Sequence, residues 1–336
     1  SIMGGIGRIG ILGSGSWATA LAKIILTSQP SINWFMRREE QAQGIKRTGR
    51  NPNYLRDAVF DPRKISFFTD SDLNSFFRAS DVVVLVTPSP FIKSYLKRVR
   101  SSSMRDKLII NAIKGIVPDE NVLVSEYLHD FCDVPNELIG VVSGPCHAEE
   151  VARERRSYLT VGCFDINKAK AMANVLRNDY VSCTTSQDVV GIEYASVLKN
   201  VYAIAAGICN GLQYGDNFQS VLMSNAIAEM NSFVNTVHLL EREITDSVYL
   251  GDLLVTAYSN YSRNRTFGNM IGKGYSVKSA QMEMEMIAEG YYGAKCVREV
   301  NKRYQVNMPI MNTVYEVLYE KRDAAEAITA LTAHFK

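Results

Sequence analysis

The first half of the chain is punctuated by short, dense apolar runs: RIGIL from Arg8, INWFM from Ile32, ISFF from Ile65, DVVVLV from Asp81, KLIINAI from Lys107, LIGVV from Leu138, YLTVGC from Tyr158 and YVSCTT from Tyr180. Stretches with helical spacing separate most of them. Continuous apolar runs of this length suit strands buried on both faces, and their alternation with helices predicts an α/β, doubly wound, mainly parallel sheet. After about Asp188 the strand signals stop. Long Ala-, Met- and Glu-rich stretches take over and predict an all-α second domain. The expected organisation is a sheet domain over 1–188 and a helical domain over 189–336, with the cleft between them as the place for a ligand.

Length agrees with two domains, since 336 residues exceed what one hydrophobic core usually holds. Apolar residues at 46% and charged residues at 21% are ordinary for a soluble globular protein. A formal net charge of +2 gives no footing for nucleic acid or an anionic membrane surface, so any basic cluster is local and suits a small anion. The six cysteines (Cys132, Cys146, Cys163, Cys183, Cys209 and Cys296) are scattered, with no C-x-x-C pair and no zinc-like spacing. No metal site is expected, and the thiols fit the reducing cytoplasm. The opening SIMGGIGRIGILG lacks a signal-peptide h-region and runs straight into a strand.

That first strand ends at Gly13 and leads into GSGSWATA, which gives Gly13-x-Gly15-x-x-Ala18. Gly13 permits a tight turn, Gly15 lets the backbone approach a pyrophosphate, and Ala18 lets the next helix lie close to the strand. The helix N-terminus supplies N–H donors for the anion. A strand before the motif and a helix after it make this a Rossmann-type dinucleotide signature. NAD-selective sites close the second strand with an Asp or Glu for the ribose hydroxyls. Here the strand runs into Met36-Arg37-Arg38-Glu39-Glu40, with Met36 or Arg37 at that position. Arginine there accommodates a 2′-phosphate, which favours NADP or tolerates it beside NAD. The ordinary alternative is a solvated helical turn in which Glu39 and Glu40 neutralise Arg37 and Arg38.

In the helical half, YASVLKNVYAIAAGICNGL runs from Tyr194 to Leu212 with a single charge, Lys199. Burying an unpaired charge is costly. On a helical wheel Lys199 shares a face with Ile192, Ala195, Ser196, Ala203, Ala206 and Asn210, while Val197, Leu198, Val201, Ile204 and Ile208 lie opposite. A membrane span is disfavoured, because Lys199 and Asn200 fall in the first third of an Ala- and Gly-rich stretch. Two roles fit such a lysine. It snorkels to water over apolar surface, or its small neighbours leave room for a bound molecule and a proton transfer.

Taken in order, GSGSWATAL, NAIKGI, VVSGPCHAEEVA, VLKNVYAIAAGICNGLQYGDN, GDLLVTAYSNYSRNRTFG and AEGYYGAK resemble the NAD(P)-dependent glycerol-3-phosphate dehydrogenases of bacterial type, over nearly the whole chain. The resemblance implies reversible hydride transfer between NAD(P)H and dihydroxyacetone phosphate, giving sn-glycerol 3-phosphate for glycerophospholipid synthesis, in a cytoplasmic homodimer. Lys199 matches the family's catalytic lysine, which protonates the C2 oxygen and stabilises its developing charge. Lys114, just beyond a strand, matches a lysine shared between substrate and cofactor. Asp252 matches the aspartate that orients the lysine and a substrate hydroxyl. It stands one helical turn before Thr256, although an Asp after Gly is also a frequent helix N-cap. Arg263, between Ser262 and Asn264, matches the phosphate-binding arginine.

By the same likeness, substrate contacts fall also on Gly144, Cys146, Ser262 and Asn264. Cofactor contacts fall on Ser16, Trp17, Arg37, Lys114, Ala148, Arg263 and Glu289, beside Gly13, Gly15 and Arg38 of the fingerprint. Some positions depart from the family pattern. Cys146 stands where Ser or Thr is usual, which removes a hydroxyl donor. Tyr194, Ala195 and Ser196 replace a usual Leu-Gly-Gly, and SVLMSNAIAEM lacks the usual Thr-Arg-Gly; these bear on helix packing and subunit contact more than on the chemistry.

Overall fold

A computed structural model describes residues 5–285 and 287–336. The chain forms two compact units. The first runs up to Ile113 and resumes over Val124–Val189; the second takes Lys114–Leu123 and Val190–Lys336. The short segment holding Lys114 thus goes with the helices although sheet residues flank it in sequence, an arrangement no single boundary at 188 expresses.

The strands are β1 (Ile9–Leu12), β2 (Ile32–Phe35), β3 (Ile65–Phe68), β4 (Val82–Leu85), β5 (Leu108–Asn111), β6 (Ile116–Val117), β7 (Val122–Leu123), β8 (Ile139–Ser143), β9 (Ser157–Cys163) and β10 (Val181–Ser186). All eight apolar runs lie in one sheet, ordered β10-β9-β8-β5-β4-β1-β2-β3, while β6 and β7 pair as a separate antiparallel hairpin. Neighbours in the large sheet are parallel except β8 and β9. The interior strands β1, β2, β4 and β5 are buried at every residue, which is why they read as unbroken apolar runs; the edge strand β10 begins by alternating buried and exposed. Its helices are α1 (Ser16–Ser28), α2 (Glu39–Thr48), α3 (Leu73–Arg78), α4 (Ser89–Arg98), α5 (Ser101–Met104), α6 (Val124–Cys132), α7 (Ala148–Ala152) and α8 (Ile166–Leu176). Strand order reverses between β1 and β4, the switch point at which open α/β sheets bind ligands beyond the strands' carboxyl ends.

The second unit is built from α9 (Val189–Gly211), α10 (Asp216–Val237), α11 (Asp252–Tyr258), α12 (Arg263–Gly272), α13 (Val277–Glu283), α14 (Glu289–Tyr304), α15 (Pro309–Tyr319) and α16 (Ala324–Leu331). The helix carrying Lys199, α9, is long and apolar enough to cross a membrane by length and composition, but 94% of its most apolar window is buried inside the protein. It is a core helix, apolar all round because it is enclosed all round.

The small residues that share a face with Lys199 are enclosed like the rest of the helix. Ala195, Ala203 and Ala206 are as buried as the bulky residues opposite. Glycines explain how neighbours come so close. A Cβ on Gly207 would lie 2.1 Å from the Arg265 carbonyl oxygen of α12, and one on Gly268 of α12 would lie 2.1 Å from the Ile204 carbonyl oxygen. The two helices therefore meet backbone to backbone, and the small residues serve packing.

Candidate active site

In the sheet unit the site is assembled around Gly13. Its φ is +128°, and a Cβ there would approach the Val86 carbonyl oxygen to 2.2 Å, so both conformation and space demand glycine. Gly15 is the opposite case. A Cβ on it would meet nothing within 4 Å, because the position opens into free space. Gly15 caps α1 without a side-chain bond, and no acidic residue stands in the first turn, so no carboxylate competes with an anion at the positive helix end. Ser16 is buried in that turn and Trp17 half-buried against the core.

A polar network that the sequence reading missed holds the loop. Trp34 Nε1 donates to the Gly13 carbonyl at 2.7 Å, and Ser14 Oγ donates to Gln41 Oε1 at 2.9 Å. Gln41 Nε2 and Asn51 Nδ2 each donate to the Ser14 carbonyl at 3.1 Å, and Asn51 Nδ2 also reaches Thr19 Oγ1 at 2.9 Å. Gln41 and Asn51 are almost wholly buried. The only signal in the sequence was a glutamine on the apolar side of α2, which is weak.

A cavity of about 430 Å³ lies against this loop at the carboxyl ends of β1, β2 and β4; Gly13, Gly15, Arg37, Arg38, Tyr95 and Arg98 are among its walls. Met36 is 1% exposed and belongs to the core, so Arg37 is the first side chain after β2 that the cavity meets. Glu39 does not neutralise the arginines. Its carboxylate accepts from Gln43 Nε2 at 3.1 Å and Thr69 Oγ1 at 2.9 Å, and these bonds hold it below the usual carboxylate range. At the carboxyl end of β8, Gly144 has φ of +140° and sits where a Cβ would touch the Tyr158 carbonyl oxygen at 2.4 Å. Cys146 packs its thiol into the core, which gives the missing hydroxyl a packing reason, and Ala148 opens α7 nearly buried.

In the helical unit, Lys199 is 2% exposed and its ammonium is ion-paired to Asp252 Oδ2, itself buried. The snorkelling alternative is thereby overturned: the head group lies inside. Asp252 opens α11 directly after a π-helical turn, Ser247–Gly251, a rare geometry frequent at functional sites. Gly251 is the N-cap, so Asp252 stands at the first helical position, from which its carboxylate pairs with the lysine. Thr256, one turn on, is also buried.

Around this pair the neighbouring segments interlock. Asn200 Nδ2 donates to the Lys114 carbonyl at 3.3 Å. Gly290 lies so close to the Asn200 carbonyl that a Cβ would sit 2.6 Å from it, and its N–H donates to Asn264 Oδ1 at 2.8 Å. Lys114, Lys199, Asn264 and Glu289 are thus drawn in around one turn of α9. Ser262 caps α12, its Oγ accepting from the Arg265 N–H at 3.2 Å, and Arg263 follows half-buried at the first helical position. A second buried titratable group went unnoticed in the sequence: Glu229 of α10. It accepts from the N–H groups of Ile310 (2.8 Å) and Met311 (3.1 Å) at the start of α15. Burial pushes it up to about 7 against those bonds.

A buried ammonium fixed by a carboxylate is a positioned proton donor, and a glycine loop at a switch point is a nucleotide cradle. Comparisons with known proteins agree with that pairing. The family described as NAD-dependent glycerol-3-phosphate dehydrogenase N-terminus matches residues 8–169, and the corresponding C-terminus matches residues 188–329. A relative from Staphylococcus epidermidis named glycerol-3-phosphate dehydrogenase (NAD(P)+) is 33% identical over 325 residues, covering 96% of this chain and 97% of its own. One of the same name from Oceanobacillus iheyensis is 32% identical over 324 residues, covering 96% and 93%. Among solved structures, glycerol-3-phosphate dehydrogenase from Coxiella burnetii superimposes with a TM-score of 0.89 at 27% identity, covering 97% of this chain and 98% of that one.

Proposed function

The chain belongs to the glycerol-3-phosphate dehydrogenase family of NAD(P)-dependent oxidoreductases, and on that premise we propose that Lys199 is its proton donor and acceptor, oriented by Asp252. The observation that carries the proposal is the buried ion pair between them. The bound nicotinamide supplies or accepts the hydride at C2 of the substrate. As dihydroxyacetone phosphate is reduced, negative charge develops on its C2 oxygen, and the Lys199 ammonium stabilises that charge and gives up a proton to it. In the direction from sn-glycerol 3-phosphate the amine takes the proton back. Asp252 fixes the ammonium and accepts from a substrate hydroxyl.

Arg263 binds the substrate phosphate with its guanidinium fork, assisted by Ser262 and Asn264; Lys114 serves both substrate and cofactor, and Gly144 and Cys146 border the substrate. For the nucleotide, the residues fit. Gly13 and Gly15 leave room for a pyrophosphate, the amides at Ser16 and Trp17 receive it, and Arg37 and Arg38 face the ribose edge. Ala148, Arg263 and Glu289 complete the cofactor contacts in this reading. NADP(H) is favoured over NAD(H), because the cavity wall carries both arginines and no acid among its described residues. The remaining expectations, a cytoplasmic homodimer feeding sn-glycerol 3-phosphate into glycerophospholipid synthesis, rest on the family resemblance.

The test follows oxidation of NADH and NADPH with dihydroxyacetone phosphate, for the wild type and Lys199→Ala. Loss of a general acid is expected to lower kcat by about 10²- to 10⁴-fold, with nucleotide binding retained. Undiminished turnover in the variant removes the mechanism, and no turnover in the wild type removes the substrate assignment.

A further inference from the structure

The nucleotide cavity of the sheet unit holds a third guanidinium, outside the fingerprint and outside the turn after β2. Arg98 ends α4 and lines the same cavity as Arg37 and Arg38. Its direction is set rather than free: Nη1 donates to Asp70 Oδ1 at 2.9 Å and Nη2 donates to the Asp70 carbonyl oxygen at 2.6 Å. Asp70 belongs to the turn that follows β3, so two different elements hold the guanidinium in place. Tyr95, one turn earlier on α4, shows that Arg37 and Arg98 act on one region. Burial pushes its phenol up, and the two guanidiniums both pull it back.

The cavity wall contains these three arginines and no aspartate or glutamate among its described residues. Asp70 is not a wall residue, and Glu39 is committed to Gln43 and Thr69. In the nucleotide-binding reading the pyrophosphate belongs to the glycine loop and the start of α1. Three guanidiniums in one wall, only Arg98 of them paired to a carboxylate among the described residues, have no use for a neutral ribose 2′-hydroxyl, which an NAD-selective site would meet with a carboxylate. They suit a second dianion on the same ligand.

We propose that Arg98, locked by Asp70, is a specificity-determining residue that grips the 2′-phosphate of NADP(H) together with Arg37 and Arg38. The inference rests on the nucleotide-binding reading given above and extends it to a residue on a different helix. Two paired contacts to Asp70 orient the fork, so that Asp70 acts as a positioning residue. The cluster stays net positive, since this one carboxylate faces three guanidiniums.

The experiment titrates the full-length protein with adenosine 2′,5′-bisphosphate and with adenosine 5′-monophosphate by calorimetry, for the wild type, Arg98→Gln and Asp70→Ala. It also measures kcat/KM for NADPH and NADH. Loss of one charge-assisted phosphate contact is expected to weaken the bisphosphate by about 10- to 100-fold in Arg98→Gln, with the monophosphate unchanged. The NADPH-to-NADH ratio of kcat/KM is expected to fall by the same factor, through KM and not kcat. Asp70→Ala is expected to give a smaller loss of the same kind, and Arg98→Lys to restore part of it. An unchanged ratio and unchanged bisphosphate affinity in Arg98→Gln overturn the proposal while leaving the nucleotide site intact. Equal weakening of both nucleotides also overturns it, because the contact would then be general. Failure of the wild type to bind either nucleotide overturns the underlying nucleotide-site reading instead.

Discussion

The sheet unit and the helical unit handle positive charge in opposite ways. In the sheet unit, Arg37 and Arg38 stand exposed on a cavity with no acid in its wall, and their charge is available to whatever enters. In the helical unit, Lys199 is sealed inside and matched to one carboxylate. An exposed cation is cheap to keep and weak in effect, because water screens it; a buried one is costly unless paired, and strong for the same reason. Recognition of an outside ligand can use the first kind. Delivering a proton in a fixed direction needs the second.

Asp252→Ala probes the contrast hardest. Breaking a buried pair leaves an uncompensated charge, and the expected loss of stability is about 3–5 kcal/mol by urea unfolding. The double variant Lys199→Met with Asp252→Leu is expected to recover most of that loss and none of the activity. Recovery of turnover in the double variant would separate the pair from the chemistry.

Glu229 tests whether burial alone sets the rule, since its partners are amides rather than a cation. Its folded pKa near 7 exceeds the ordinary value of 4.5, so the folded state holds the proton more tightly. Its contribution is therefore fully present below about pH 4.5 and is lost as pH rises through 7, on the order of 3 kcal/mol in all. Urea midpoints measured between pH 5 and pH 8 are expected to fall less steeply in Glu229→Gln than in the wild type. Identical pH profiles would show that Glu229 does not titrate in this range.

Gly268→Ala addresses the scaffold under the buried site. The added methyl meets the Ile204 carbonyl at 2.1 Å and must push α12 off α9, at about 1–3 kcal/mol. Because Arg263 and Asn264 ride on α12, KM for dihydroxyacetone phosphate is expected to rise as well. The smallest effect on stability belongs to Arg37→Ala, expected within about 0.5 kcal/mol of wild type, with weaker NADPH binding whose deficit shrinks at high salt. A large loss of stability there would contradict the exposed character of the nucleotide cluster.

Local pattern was strongest where one element suffices. The apolar runs from Arg8 to Thr185 all became strands of the sheet, and the interior ones read as unbroken because burial on both faces leaves no room for polar alternation. The hairpin of β6 and β7 was invisible, since two-residue strands carry no period and its turn depends on left-handed Asp119 and Asn121. Gly13 and Gly15 looked alike in the motif, yet one is required by a clash and the other by an opening. Arg98 and Asp70 are twenty-eight positions apart, and no spacing rule joins them.

The amino-acid order by itself determined the alternation of strands and helices, the glycine loop after the first strand, and the candidacy of Lys199, Asp252 and Arg263, because each depends on neighbours within a few residues or on ordered motifs. Only the tertiary structure decided that the small residues beside Lys199 on α9 are enclosed by neighbouring helices, that Lys199 is paired rather than snorkelling, and that Glu39 bonds Gln43 and Thr69 rather than the arginines. Those outcomes depend on which distant groups arrive within hydrogen-bonding range. In a medium where an unpaired charge is expensive and a paired one is not, that arrival changes the sign of the energy.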